Sequence, residues 1–262
     1  MRMLKHGCVS VFVMWAACSA ASASDIYDFT ITQDTYIDSR QYGSYHSQGT
    51  NFANANVDKV FVNKAASGED VAGSPTRGLF YLPASVFSYS PSQIASATVN
   101  FYVWSDKSGN FSVSLYPMTR SWVVGTGATS ADGVTWSTYD AAHLWTSPGG
   151  DFDATRSVVA TKGPVFDPDY GDRYFIWDIT SLLKDPIARA ELQNNGAMLK
   201  VTSETPPPGG YNGDAFSSYE DPVPLNWPYV EVTVAAPEPA SLLMLAAGVP
   251  LVGWFRTRAA RS

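Results

Sequence analysis

Cysteine and histidine are scarce in this chain of 262 residues, which has two cysteines and three histidines. Both cysteines, Cys8 and Cys18, lie in an N-terminal stretch that we expect to be removed, so the mature body has no thiol. Disulfides, thiolate metal sites and a cysteine nucleophile are therefore excluded from the mature body. His46 and His143 do not have a metal-ligand spacing, and no G-x-S-x-G nucleophile motif occurs.

Positive charge is also scarce, because 17 Lys and Arg stand against 24 Asp and Glu, for a net charge of −7. Five of the basic residues and one acid lie in the two end segments, so the body between them carries −11. A body this acidic argues against nucleic acid and anionic membrane surfaces as partners. Neutral glycans and divalent cations remain compatible with it.

Residues 1–23 have the features of a secretory signal peptide. Arg2 and Lys5 form a positive start, and residues 9–17 form an apolar run too short to span a bilayer comfortably. Ala21 and Ala23 flank a serine in the small-x-small pattern of a cleavage site. We expect export through the inner membrane and a mature chain that begins near Ser24.

The other end carries an apolar run, residues 240–255, that contains no charge. Its length is below the roughly 20 residues of a relaxed membrane span, and it is followed by an arginine cluster that favours the cytoplasmic side. The pattern predicts a short transmembrane helix over 240–255 with the body outside. The residues concerned are Pro237, Glu238 and Pro239 before the run and Arg256, Arg258 and Arg261 after it.

This tail, residues 237–262, resembles the PEP-CTERM sorting signal of Gram-negative bacteria in its Pro-Glu-Pro triplet, Ala240-Ser241, apolar segment and arginine cluster. The resemblance implies processing by a membrane peptidase of the exosortase type and a link to exopolysaccharide. It also implies a final location in the cell envelope, at the cell surface or in the extracellular matrix.

Strand patterns dominate residues 24–236, which we expect to form one domain. Short alternating segments separated by Gly, Pro, Ser and Asn clusters favour an all-β sandwich of jelly-roll type, in which the first and last strands pair. A hairpin is expected at residues 107–110. The expected strands are 27–31, 35–37, 57–63, 78–82, 97–104, 111–116, 174–179, 197–202, 216–218 and 229–234.

One helical segment is predicted after the strand at 174–179. Thr180 is the expected cap, residues 181–185 form the first turn, and Pro186 is expected to divide the segment into two pieces. Asn194, Asn195 and Gly196 mark the turn into the next strand.

The body also resembles the DNRLRE, or disaggregatase-related, domain over most of residues 30–234. The ordered pieces are 33–38 (QDTYID), 77–83 (RGLFYLP), 94–103 (IASATVNFYV), Ser121-Trp122, 134–136 (VTW), 178–180 (DIT), 194–196 (NNG) and 216–220 (FSSYE). The resemblance implies a jelly-roll sandwich from extracellular proteins, some of whose relatives are carbohydrate-binding modules. This chain departs from the usual pattern in its long 41–56 segment and at Tyr219, where Arg is common.

Exposed aromatic side chains are the candidates for contact with sugars, because a sugar's CH face stacks on Trp or Tyr. Trp104, Trp122, Trp136 and Trp177 lie in or beside apolar strands and are expected in the core instead. The aromatic residues in loops that we expect to bind glycan are Tyr42, Tyr45, Trp145, Tyr211 and Trp227.

Calcium is the candidate cofactor, because it takes six to eight oxygen ligands of the kind that Asp-rich loops supply. Asp167, Asp169 and Asp172 lie close together in one such loop, and a solvated loop is the alternative. Asp34 and Glu220 form a second candidate, since pairing of the first and last strands would bring them together. Their alternative is a buried salt bridge to Arg77.

The expected function is therefore that of a non-catalytic, envelope-sorted protein that binds polysaccharide or acts in the exopolysaccharide matrix. One alternative is a polysaccharide lyase or glycoside hydrolase that uses two loop carboxylates. The other is a structural surface protein that self-associates through exposed strand edges.

Overall fold

A computed structural model describes residues 24–39, 41–42, 45–46, 59–64, 75–103, 112–127, 132–161, 174–204 and 212–235. Ser24–Ala235 forms one compact unit. The predicted signal peptide, the sorting motif, the helix at 240–255 and the hairpin at 107–110 lie outside the described residues. Within the described part of the chain, no helix is both long and apolar enough to cross a membrane.

The described chain is mostly β-strand, with few helices. Its strands are β1 (Asp25–Thr30), β2 (Asp34–Asp38), β3 (Gln41–Tyr42), β4 (Tyr45–His46), β5 (Lys59–Lys64), β6 (Thr76–Phe80), β7 (Ile94–Tyr102), β8 (Ser112–Pro117), β9 (Val158–Thr161), β10 (Tyr174–Asp178), β11 (Ala197–Val201), β12 (Asn212–Ser217) and β13 (Tyr229–Val234).

Two antiparallel sheets contain most of these strands. The first sheet has the order β1-β13-β7-β10, and the second has the order β2-β6-β11-β8-β9. β1 pairs with β13 along its whole length, from Asp25 opposite Val234 to Thr30 opposite Tyr229. The predicted pairing of the first and last strands is thus confirmed. β5 and β12 form a separate ribbon, which a bridge between Val103 and Phe216 connects to the end of β7.

The core between the sheets is rich in aromatic side chains. Phe216 of the ribbon packs against three rings of the first sheet, with centroid distances of 6.0 Å to Phe101, 5.5 Å to Phe175 and 5.8 Å to Trp177. The indole N–H of Trp177 donates 2.8 Å to the carbonyl oxygen of Val113 in the second sheet. The two sheets are therefore joined by ring packing and by a buried hydrogen bond, in a β-sandwich-like arrangement.

The ribbon approaches the second sheet closely at Gly78 in β6. A Cβ atom there would lie 2.6 Å from a methyl group of Val60 and 3.2 Å from a methyl group of Val62. Both valines are buried in the main core. A side chain at position 78 would push β5 away, so this position requires glycine.

Two short helices follow β10, α1 (Thr180–Lys184) and α2 (Pro186–Asn195). The predicted division at Pro186 is confirmed, and Pro186 is the first residue of α2. Asp185 caps α2 by accepting the backbone N–H groups of Ile187 and Ala188. Thr180 is not the cap that the sequence predicts. It is the first residue of α1, and its hydroxyl instead accepts the N–H of Ala97 at 2.8 Å.

Two features of the second sheet were not predicted from the sequence. One is its edge strand β9, and the other is a layer of loops that follows β8. Residues 119–127 and 132–157, here called the loop layer, cover the outer face of the second sheet. Their apolar side chains form a second buried cluster with side chains of that sheet. Trp122, Val134, Trp136 and Trp145 come from the loop layer, and Ile37, Leu79, Met118 and Met198 complete the cluster.

Removing the Phe216 ring tests the core. Phe216→Ala is expected to lower the free energy of unfolding by about 3–5 kcal/mol, because three rings lose a partner and a cavity remains. Phe216→Leu should lower the free energy of unfolding by less than Phe216→Ala does. Leu225→Ala, at a side chain that is 84% exposed, should change the free energy of unfolding by no more than about 0.5 kcal/mol. Urea unfolding measures all three, and equal losses at the two positions would contradict this core.

Candidate functional site

Three tyrosines lie together on the outer face of the first sheet, and we call them the tyrosine row. Tyr102 and Tyr174 are direct cross-strand partners on β7 and β10, with ring centroids 5.7 Å apart. Tyr229 at the start of β13 lies 5.7 Å from the Tyr174 ring. All three are half-buried. Three neighbouring strands thus present one continuous aromatic surface.

The row faces outward because of strand alternation. Val99, Phe101, Phe175, Trp177 and Val230 all point into the core, so the residues between them must point away. The same alternation leaves the side chain of Ile176, between Phe175 and Trp177, 53% exposed.

Polar groups lie beside the rings. Asn100 is opposite Tyr229 in the pairing of β13 with β7, and its amide donates 3.0 Å to the Thr98 hydroxyl. The Tyr174 hydroxyl donates 2.5 Å to the carbonyl oxygen of Leu225, which anchors the loop before β13. Asn100 is only 3% exposed, so its amide supports the face from beneath and is not offered to a ligand. An aromatic strip with phenol oxygens at its surface has the chemistry needed to stack on sugar rings and to hydrogen-bond their hydroxyls.

Two phenols of this row have a raised pKa. Burial and the neighbouring Tyr102 raise the pKa of Tyr174. Burial, Tyr174 and the carboxylates of Asp28 and Glu231 raise the pKa of Tyr229. Tyr229 therefore keeps its proton at ordinary pH, and Tyr174, whose proton is donated to Leu225, can still accept a hydrogen bond.

An open cleft of about 410 Å³ lies in the loop layer. Its wall includes an ion pair of 2.9 Å between Arg120 and Asp151, next to Phe152. Although burial opposes ionisation of Asp151, N–H groups of Thr146 and Arg120 hold its pKa below the ordinary value. The carboxylate is thus already satisfied within the protein, and the cleft has no net charge from this pair.

The carboxyl groups of Asp34 and Glu220 lie within hydrogen-bonding range of each other, where the loop after β12 meets β2 rather than through the pairing of β1 with β13. Asp34 is only 3% exposed and accepts the N–H of Tyr219 at 3.0 Å. Burial, and then the charge of Glu220, raise the pKa of Asp34 well above its ordinary value. A neutral Asp34 can share its proton with Glu220, so the pair favours protonation or a bound cation.

Arg77 does not lie between these two acids. It pairs with Ile37 across the strands, on the face of the sheet opposite Asp34. There its guanidinium binds both carboxylate oxygens of Glu204, at 2.9 and 3.0 Å, and lies 4.8 Å from the Trp136 ring centre. The alternative of a salt bridge between Arg77 and the pair is therefore wrong.

The aromatic residues that we expected to bind glycan differ in their burial and in whether the structure describes them. Trp145 is 4% exposed, and its indole N–H donates 3.0 Å to the carbonyl oxygen of Thr135, so its ring is not available for stacking. Trp227 is half-buried and packs 4.6 Å from Tyr219. Tyr42 and Tyr45 are paired in the backbone hairpin of β3 and β4. Tyr211 lies outside the described residues.

Asp167, Asp169 and Asp172, the other calcium candidates, also lie outside the described residues. In the described part of the chain, no group of three or more His, Asp or Glu could hold a metal ion. Asp34 and Glu220 supply too few oxygens for calcium without further ligands. Calcium therefore stays a prediction.

The tryptophans predicted for the core are there, in so far as the structure describes them. Trp122, Trp136 and Trp177 are all buried, and Trp104 is outside the described residues.

The tyrosine row, in contrast, was not predicted from the sequence. Its signal in the sequence was the outward phase of three strands, but only the pairing of those strands brings the tyrosines together.

No protein-family model matches this chain, and a search of curated proteins finds no match.

Asp34→Asn tests the carboxyl pair. A raised pKa means that folded Asp34 keeps its proton at pH values where the unfolded chain has lost it. Wild-type stability should therefore fall as pH rises above the unfolded value, and the amide variant should lose that part of the slope. At pH 7 in EDTA, Asp34→Asn should raise Tm by about 2–4 °C, the shift for 1 kcal/mol in a domain of this size. Asp28→Asn, at an exposed position, is the control with the same charge change; a lower Tm in Asp34→Asn alone would contradict the argument.

Calcium binding has its own test. If the ion is bound, EDTA should lower the wild-type Tm by several degrees, because a ligand stabilises the state that binds it. Loss of this difference in Asp34→Asn would place the ion at the pair, and its loss only in Asp169→Asn would place it in the other loop. Identical wild-type melting curves with and without EDTA would remove the calcium hypothesis.

Proposed function

We propose that this chain is an exported, non-catalytic β-sandwich protein of jelly-roll type that binds polysaccharide. The observation that carries the proposal is the tyrosine row, in which Tyr102, Tyr174 and Tyr229 form contacts of 5.7 Å across three strands on the outer face of the first sheet. A polymer chain lies well on a flat aromatic strip, since successive sugars can each present a CH face to a ring.

The row is also held rigidly, which favours binding. Its tyrosines lie on paired strands rather than on loops, and the bond from Tyr174 to the Leu225 carbonyl limits the rotation of that ring. A preorganised surface loses less side-chain entropy when a ligand binds. Of the residues that the sequence favoured, Trp145 is 4% exposed and cannot add to such a surface, and Trp227 packs on Tyr219.

The location follows from the two ends of the sequence. The leader with its cleavage site after Ala23 directs export, and the tail from Pro237 onwards, which resembles the PEP-CTERM signal, directs sorting by an exosortase-type peptidase. The working place of the protein is then the cell envelope, the cell surface or the matrix, where polysaccharide is abundant.

A non-catalytic role agrees with the state of the carboxylates in the loop layer. Hydrogen bonds from Thr155 and Arg156 outweigh burial and lower the pKa of Asp153 to about 2. Asp151 is bound to Arg120 in the same way. Glycoside hydrolysis needs an acid whose pKa is raised, across a cleft from a second carboxylate. Two described acids have a raised pKa, Asp34 and Glu191, but neither lines the cleft of the loop layer, and Asp34 is buried and touches its partner.

Tyr174→Ala and Tyr229→Ala are each expected to weaken binding to a polysaccharide gel by roughly three- to tenfold, since one ring contact is lost in each. Affinity electrophoresis measures the change. Tyr27→Ala is the matched control, because this tyrosine is 40% exposed on β1 but lies on the other face of the sheet. If all three variants migrate like the wild type through every polysaccharide that retains it, the row is not the binding surface.

A further inference from the structure

The first sheet carries charge of one sign only. Its four strands, DIYDFT, IASATVNFY, YFIWD and YVEVTV, contain four carboxylates and no Lys or Arg. The arginines of the loop layer, in contrast, are each paired with an acid, Arg120 with Asp151 and Arg156 with Asp153. The acidity of the sheet is thus a local property as well as a part of the net charge.

Three of these four carboxylates lie on the outer face, in one line across the sheet. Asp28 on β1 is opposite Glu231 on β13, and Glu231 and Asp178 are each opposite Thr98 on β7. We call Asp28, Glu231 and Asp178 the acidic row. Asp178 and Asp28 are exposed, and Glu231 is half-buried.

The acidic row runs alongside the tyrosine row. Tyr229 and Glu231 are two residues apart on one strand and so share a face at a spacing of about 7 Å. The carboxylates are also close enough to raise the pKa of Tyr229, as described above. A polymer that stacks on the tyrosines therefore passes beside two or three negative charges.

This arrangement selects the charge of the ligand. A uronate polymer would bring carboxylates next to carboxylates, which is unfavourable. A protonated amine gains attraction from the acidic row and can also lie over an aromatic face. A neutral sugar gains nothing from the charges.

We propose that the ligand of the tyrosine row is a cationic polysaccharide, an amino-sugar polymer in which some or all of the N-acetyl groups have been removed. The inference rests on the proposed function and adds the chemical class of the polymer. The aromatic strip supplies the stacking surface, and the acidic row distinguishes free amines from acetylated ones.

The experiment compares three polymers with the purified protein: a de-N-acetylated glucosamine polymer, the same polymer after re-acetylation, and a uronate polymer with calcium or with EDTA. The free-amine polymer should bind most tightly, and its affinity should fall as salt rises and as pH rises through the titration of the amines. Re-acetylation should lower the affinity, because it removes the charge and leaves the sugar ring.

The double variant Asp28→Asn, Glu231→Gln should lose roughly three- to tenfold in affinity for the free-amine polymer, as expected for two exposed ion pairs. Its affinity for the acetylated polymer should not change. Asp132→Asn, Asp140→Asn is the matched control, since it removes two charges from the loop layer while the amide oxygens can still accept the local N–H groups. Melting curves check that both double variants are folded.

The outcomes separate this inference from the proposed function. Equal binding of free-amine and acetylated polymers would overturn the charge argument and leave polysaccharide binding intact. Preference for the uronate polymer, whether or not EDTA abolishes it, would also overturn the charge argument. Retention of none of the three polymers would count against both proposals.

Discussion

The interaction on which the rest of this structure depends is the buried contact among Phe101, Trp177 and Phe216, together with the hydrogen bond from the Trp177 indole to the Val113 carbonyl. It joins the first sheet to the ribbon and to the second sheet. Because side chains alternate along a strand, burial of Phe101 and Trp177 forces the residues next to them in each strand to point to the outer face. A slip of one residue in either strand would put tyrosines into the core and phenylalanine into water.

The outer faces of the two sheets differ in what covers them and in their charge. The loop layer closes the face of the second sheet: its tryptophans pack on that face, and its arginines are paired with acids, Arg120 with Asp151 and Arg156 with Asp153. The outer face of the first sheet carries half-buried tyrosines and carboxylates, and its four strands contain no Lys or Arg. The tyrosine row and the acidic row thus lie on one face.

The Asp34–Glu220 pair shows how the fold brings distant residues into contact, since Asp34 lies in β2 and Glu220 follows β12. Asp34 and its hydrogen-bond donor Tyr219 are 185 positions apart in the chain. Two carboxyl groups in a buried contact reduce stability at neutral pH unless a proton or a cation lies between them. The contribution of the pair to stability therefore depends on pH, and the pair lies where the loop after β12 meets β2.

The sequence by itself determined the class of fold and most of the strands, because strand alternation and apolar surroundings are local features. Trp122, Trp136 and Trp177 could be assigned to the core from these features before any contact was known. It also determined the break at Pro186, the charge of the body and the absence of thiols. Only the tertiary structure decided that Tyr102, Tyr174 and Tyr229 meet and that Trp145 is buried under the loop layer. It likewise decided that Arg77 pairs with Glu204 rather than with Asp34. These facts depend on which strands pair and in which register, and register is set by contacts between residues far apart in the chain, which no local pattern encodes.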